Sequence, residues 1–183
     1  MSKILVARGA DLGLVKVVGR GSFQNSSCFK AFYLQLLKDG VHRFIVDLGA
    51  CTYLDSTFLG ILLGLGLKLK EADSGRLNIL NASSRNLELL RNLGLDRLIH
   101  IEGADPVVAA AGNGTANGKT SLNGVKEDQF EEVPCPVPTR AEAAPTILEA
   151  HEALMQFDPR NVPKFKDVVE FLREDLGQTA GNN

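Results

Sequence analysis

Apolar residues recur along the chain with two periods. Ile4 to Ala7 forms a short apolar segment that predicts an edge strand, and Leu12 to Val18 alternates loosely and predicts a second. Gly9, Asp11 and Gly13 lie between them, as a hairpin turn requires. Gly19-Arg20-Gly21-Ser22 breaks the second strand; it lacks the lysine and spacing of a phosphate-cradling loop and reads as a turn. Asn25-Ser26-Ser27 offers N-caps for a helix running to Lys38, with Cys28, Phe29, Phe32, Leu36 and Leu37 on one face. Asp39-Gly40 closes that helix.

The centre of the pattern is residues 44–72. Phe44-Ile45-Val46-Asp47-Leu48 reads as a buried strand, followed by a turn through Gly49-Ala50-Cys51-Thr52 and the apolar pair Tyr53-Leu54. Asp55-Ser56-Thr57 then opens a long apolar stretch from Phe58 to Leu69. An Asp or Ser before such a run is a helix-start signal, because its side-chain oxygen accepts an orphan backbone N–H. Ser56 is therefore expected at the solvent-facing mouth of a buried helix. Gly60 and Gly64 interrupt that helix at a cost of ~1 kcal/mol each, so close packing on the sheet is expected to offset them.

Residues 76–81 predict another strand, and Ser83-Ser84 caps a helix with Leu87, Leu89, Leu90 and Leu93 inward, stopped by Gly94. Leu98 to Ile101 reads as a last short strand. Strand and helix alternate from Val41 on, which implies parallel strands joined by right-handed crossovers. The predicted class is α/β: a mixed sheet of about five strands with helices mainly on one face.

From Gly103 the composition changes. Residues 103–138 are rich in Gly, Ala and Pro and read as a flexible linker that stiffens toward Pro134-Cys135-Pro136-Val137-Pro138. Within it, Val125 to Val133 is acidic around Phe130 and reads as a short docking stretch. Residues 139–183 predict a helical extension. Ile147, Leu148, His151, Leu154 and Met155 share one face after Pro145; Phe165, Val168, Val169, Leu172 and Leu176 share another, ended by Gly177. Two short amphipathic helices make no core alone. Three arrangements stay open for this tail: packing on the body, dimerisation, or binding a second protein.

Charge sharpens the division. Residues 1–102 carry 13 Lys/Arg against 9 Asp/Glu, and residues 103–183 carry 7 against 13. The overall charge of −2 and the absence of Trp argue against direct nucleic-acid binding. No apolar run approaches the ~20 residues that span a bilayer. The first residues turn polar too soon for a signal peptide. Cys28, Cys51 and Cys135 are odd in number and lack metal-ligand spacing, which fits a reducing cytoplasm. No metal or cofactor is expected.

Phe44 to Leu48, Tyr53 to Thr57, Leu59-Gly60, Gly75 to Asn81 and Leu90 to Leu95 together resemble the STAS domain of bacterial anti-sigma factor antagonists. The resemblance spans about residues 4–102. It implies that Ser56 is a phosphoacceptor and that the partner is a protein acting as both serine kinase and anti-sigma factor. Phosphorylation would switch the antagonist off. Asp55 would cap the helix and orient the hydroxyl, and Arg20, Ser22, Phe23, Thr57, Phe58, Ser83 and Ser84 would contact the partner. The chain departs from the pattern at Phe58, where the family usually has Gly, and at Gly49 and Gly19-Arg20-Gly21-Ser22. Phe58 is thus either a partner anchor or a residue that buries part of the site.

Two other functions compete. A STAS accessory or scaffold subunit of a transport or sensory complex would use the same helix end without obligatory phosphorylation. An enzyme has less support. His42 in a turn, His100 in a strand and His151 on an amphipathic helix read as surface or packing residues, none near a nucleophile in sequence. Cys51 reads as a simple cysteine, because no base for a catalytic thiol is evident.

Overall fold

The alternating residues at the start of the chain build a hairpin. In the computed structural model, which describes residues 2–72, 75–102 and 127–180, β1 (Lys3–Arg8) pairs antiparallel with β2 (Leu12–Gly21), from Lys3 opposite Val18 to Arg8 opposite Gly13. β3 (Arg43–Asp47) lies parallel to the first half of β2. β4 (Cys51–Leu54), shorter than a sequence period reveals, lies parallel to its second half after a register shift at Gly19/Arg20. β5 (Arg76–Leu80) and β6 (His100–Ile101) extend the sheet in parallel beyond β3. On the other edge β7 (Glu131–Glu132) runs antiparallel to β1, giving the order β6-β5-β3-β2-β1-β7. The sheet is mixed, as expected, and gains two short strands that alternation is too brief to announce.

Three helices join the strands. α1 (Phe23–Lys38) begins three residues before the predicted caps, at Ser22. The reason is local hydrogen bonding: Asn25 Oδ1 accepts from the Ser22 N–H, and Asn25 Nδ2 donates to the Arg20 carbonyl. Asn25 and Ser26, read as caps, are instead buried in the first turn. α2 (Ser56–Glu71) starts after the Asp55 cap, and α3 (Ser84–Asn92) after the Ser83 cap. Gly94 ends α3 at φ +81°, a left-handed conformation that side chains resist. The predicted last strand shortens to β6 because the N–H groups of Leu98 and Ile99 donate to the Leu95 carbonyl, closing a 3-10 turn instead of joining the sheet.

The C-terminal segment forms the two expected helices, α4 (Arg140–Phe157) and α5 (Val162–Ala180). α4 starts five residues ahead of Pro145, at a Thr139/Glu142 capping box that outweighs the proline. α5 runs past Gly177, which therefore does not end it. Of the predicted linker, residues 103–126 lie outside the described residues. Its remainder follows the body: Val133 N–H donates to the Ile4 carbonyl, and Phe130 packs on Ala7, Leu12, Leu14, Ile45 and Leu80. The stretch around Phe130 thus docks on this chain's own sheet.

α2 explains why a third layer exists. Every residue from Thr57 to Leu63 is buried, together with Leu65, Gly66 and Leu69. A helix that is apolar all round needs partners all round. The sheet and α1 cover part of it: Phe58 stacks on Phe29 of α1 at 5.2 Å, and Phe29 meets Tyr33 edge-on at 5.4 Å. α4 covers more, with Ala150 and Leu154 entering the main core. Gly60 makes this possible: a Cβ there would lie 2.4 Å from the Ala150 carbonyl oxygen. The close packing expected of Gly60 is therefore with α4 and not with the sheet, whereas Gly64 has only ordinary contact distance to the Tyr33 hydroxyl.

The C-terminal helical hairpin, α4 and α5, is further tied by polar contacts across the charge divide. Lys30 of α1 pairs with Glu149 of α4, and Arg97 pairs with Asp158 at 2.6 Å. Asn161, fully buried, donates to the carbonyls of Leu93 and Leu154. Of the three arrangements left open for the tail, the chain adopts packing on its own body.

Candidate functional site

Asp55 joins the heads of two helices. Its backbone N–H donates to the Gly21 carbonyl, which sets it at the end of β4 beside β2. One carboxylate oxygen accepts from Phe58 N–H at 2.9 Å, and the other from Phe23 N–H at 2.8 Å. It therefore caps α2 and reaches the first residue of α1 with the same group. A negative charge placed at two helix N-termini is favourable in both, since each presents unpaired N–H groups and a partial positive charge.

Ser56 follows as the first residue of α2 and is half-buried. Its hydroxyl is engaged by His151 of α4, with Oγ and Nε2 2.8 Å apart. The orienting partner of the hydroxyl is thus His151, not Asp55 as the resemblance implies. His151 is in turn held by the Ile147 carbonyl, 2.9 Å from Nδ1. A carbonyl only accepts, so Nδ1 carries a proton and the neutral ring offers a lone pair at Nε2. Ser56 therefore donates and His151 accepts. The imidazole is 5% exposed and packs at 4.8 Å on the Phe165 ring of α5. Burial pushes its pKa below the usual 6.5, against smaller opposing effects of the Ile147 carbonyl and the Asp55 charge, which keeps it neutral at pH 7.

The sequence pattern makes His151 a surface or packing residue on an amphipathic helix. It is buried, but it also touches the one serine singled out for chemistry, 95 residues away. The available signal was its place on the Ile147, Leu148, Leu154 face combined with Gly60 on α2, which marks where a second helix approaches. Neither feature specifies the register that joins Ser56 to His151.

The other predicted contact residues divide into two groups. Thr57 and Phe58 are interior, 4% and 0% exposed, so Phe58 is a core residue and presents no surface to anchor a partner. Ser22 is also buried. Arg20, Phe23, Ser83 and Ser84 are exposed, with Phe23 at 39%. Arg20 belongs to a surface feature that includes a residue the sequence did not single out, Arg85. Their guanidinium groups lie 5.3 Å and 5.0 Å from the Tyr53 ring, and with Thr52 they line an open cavity of about 360 Å³. Asn86 sets this rim in place by donating to the Cys51 carbonyl.

Cys51 is buried, its thiol facing the Tyr53 carbonyl at 3.4 Å, and burial raises its pKa, so it stays a thiol. Cys135 is pushed up to about 12 by burial and by the neighbouring Cys28. His42 and His100 lie away from Ser56 in sequence and structure: the His42 carbonyl accepts from Arg76, and His100 lines a cavity with Leu69 and Lys70 at the far end of α2. Among the described residues no cluster of His, Cys, Asp or Glu could hold a metal ion.

Residues 5–101 match the family described as "Mlab, STAS domain". No curated protein matches the chain. Among solved structures it is similar to an anti-sigma factor antagonist from Mycobacterium paratuberculosis, at 20% identity and a TM-score of 0.49 over 60% of this chain and 93% of that one. It is also similar to the Bacillus cell fate determinant SpoIIAA in its phosphorylated form, at 18% identity and a TM-score of 0.46 over 58% and 96%. The unphosphorylated anti-sigma factor antagonist SpoIIAA gives 20% identity and 0.45 over 58% and 92%.

Proposed function

As the chain belongs to the STAS-domain family, we propose that it is an anti-sigma factor antagonist, a binding switch whose partner is a protein that is both serine kinase and anti-sigma factor. The unphosphorylated form binds; a phosphate on Ser56 ends binding. The observation that carries this reading is the position of Ser56, half-exposed at the first residue of α2, directly after a carboxylate that caps two helices. A phosphate there adds about −1.5 to −2 charges beside Asp55. Phe23, whose N–H meets Asp55, and Arg20 and Arg85, which flank Tyr53 two residues before it, are exposed and form the surface offered to a partner. The chain acts without turnover of its own, in the cytoplasm, and no described helix is long and apolar enough to cross a membrane.

A second reading has one observation in its favour. Ser56 already has a hydrogen-bond partner, and α4 lies over the helix behind it. In a STAS accessory or scaffold subunit of a transport or sensory complex, that hydroxyl would be structural.

The two readings separate on one pair of measurements. Intact-mass analysis and peptide fragmentation of protein taken from its native host should place a phosphate on Ser56. A protein captured by Ser56→Ala should be lost from Ser56→Asp. An unmodified mass across growth and stress conditions, with both variants capturing the same partner, would establish the scaffold.

A further inference from the structure

Three features meet at the Ser56 hydroxyl. An imidazole nitrogen with a free lone pair accepts its proton at 2.8 Å. The opposite nitrogen is fixed by a carbonyl at 2.9 Å, which sets both tautomer and ring orientation. The hydroxyl also sits at the head of a 16-residue helix whose Phe58 N–H is taken by Asp55. The N–H groups of Ser56 and Thr57 precede the first intrahelical bond, Leu59 to Asp55, at the positive end of the helix dipole. Nucleophile, base and an orienter of the base are the parts of an activated serine.

We propose that Ser56 and His151 form a nucleophile–base pair, assembled only when the C-terminal hairpin docks, that primes Ser56 Oγ to accept a phosphoryl group. This rests on the reading of Ser56 as phosphoacceptor. In the step, Oγ attacks the terminal phosphorus of a nucleoside triphosphate held by the partner. The Oγ–P bond forms, the bond from that phosphorus to the bridging oxygen breaks, and nucleoside diphosphate leaves. The hydroxyl proton passes to His151 Nε2. The hairpin thereby supplies a reacting group, and a body lacking it is a poor acceptor.

The groups that face the imidazole are few. Asp55 approaches from the head of α2 and favours the proton's arrival; α4 contributes the Ile147 carbonyl, and α5 the uncharged Phe165 ring. The reactivity of Ser56 is therefore expected to rise with pH through a value below 6.5 and then level off.

The test needs no kinase. The full chain is treated with diisopropyl fluorophosphate from pH 5 to 9, and the adduct is followed by intact mass and located by fragmentation. Oγ attack forms the Oγ–P bond and expels fluoride, again passing the proton to His151. A single adduct on Ser56 is expected, absent in Ser56→Ala and slowed about 100-fold in His151→Gln, within the range of general-base effects. Glutamine accepts the hydrogen bond but takes no proton. In His151→Ala, added imidazole should restore labelling. No adduct on Ser56, or equal rates in the wild type and His151→Gln, would overturn the pair. An adduct without phosphate on Ser56 in the native host would leave the pair standing and remove the phospho-switch; a phosphate without an adduct would do the reverse.

Discussion

Between Lys3 and Ile101 every helix has strands before and after it in sequence and packs near them. Between Arg140 and Ala180 no strand separates the two helices or follows them among the described residues, and they pack on each other and on residues far back in the chain. The body's core is built from long apolar runs, Phe44 to Leu48 and Phe58 to Leu69. The hairpin buries Leu154, Val169 and Leu172 together with small and polar groups, Ala143, Ala144, Ala150, His151, Asp158 and Asn161. The body is thus driven mainly by area removed from water. The hairpin adds to its apolar contacts a close backbone approach and satisfied buried hydrogen bonds. Such bonds are directional and individually modest. They suit a segment that sets a histidine against a serine.

The sharpest way to break the contrast is to truncate Leu154, which the hairpin buries fully in the main core. Leu154→Ala should cost about 2–5 kcal/mol, read by chemical denaturation, and should raise hydrogen exchange in α4 and α5 before that of the strands. Uniform loss across both regions would mean the two form one cooperative unit. Gly60→Ala comes next. Helix propensity alone would stabilise α2 by ~1 kcal/mol, but the added Cβ meets the Ala150 backbone. Overpacking of about 1–3 kcal/mol should prevail, with the loss confined to the hairpin; a more stable protein would mean α4 yields freely.

Ser56→Ala is a finer probe. Removing the hydroxyl deletes one hydrogen bond and leaves Nε2 of a buried imidazole unpartnered, for a cost of about 1 kcal/mol. The hairpin amides should report it more strongly than the strands; no change in either would mean the contact contributes nothing to docking.

Acid should act on the hairpin in two stages. His151 is depressed below 6.5 by burial, so the unfolded chain binds the proton more readily and docking weakens as pH falls below about 6.5. Asp158 is lowered from 3.8 to about 2, chiefly by its hydrogen bonds with Arg160, with Arg97 adding to it. Its contribution is complete above about 4 and is lost as pH falls toward 2. NMR of the hairpin across pH 7 to 2 should show both, with the upper stage absent in His151→Gln and the lower absent in Asp158→Asn.

Most of the body was legible because its signals are local. Periods of two and 3.6, the Asp55 and Ser83 caps and the Gly94 stop each act within a few residues, and each predicts the element found there. Misreadings arose where a longer-range bond competed with a local one. α1 begins at Ser22 because Asn25 reaches back to Arg20 and Asp55 reaches across to Phe23. β4 and β7 are too short to alternate and exist because β2 and β1 offer them unpaired edges. The same holds for Phe58, which the family comparison left open and the stacked Phe29 resolves as core.

The sequence by itself determined the strand and helix alternation, the placing of Ser56 at a helix head, and the need of an all-apolar α2 for a cover. Only the tertiary structure decided what covers it. Backbone approach at Gly60 and the bonds of Asn161 set where α4 lies along α2, and that register brings His151 to Ser56. Pairing across 95 residues depends on how two surfaces fit, which hydrophobic periodicity does not encode.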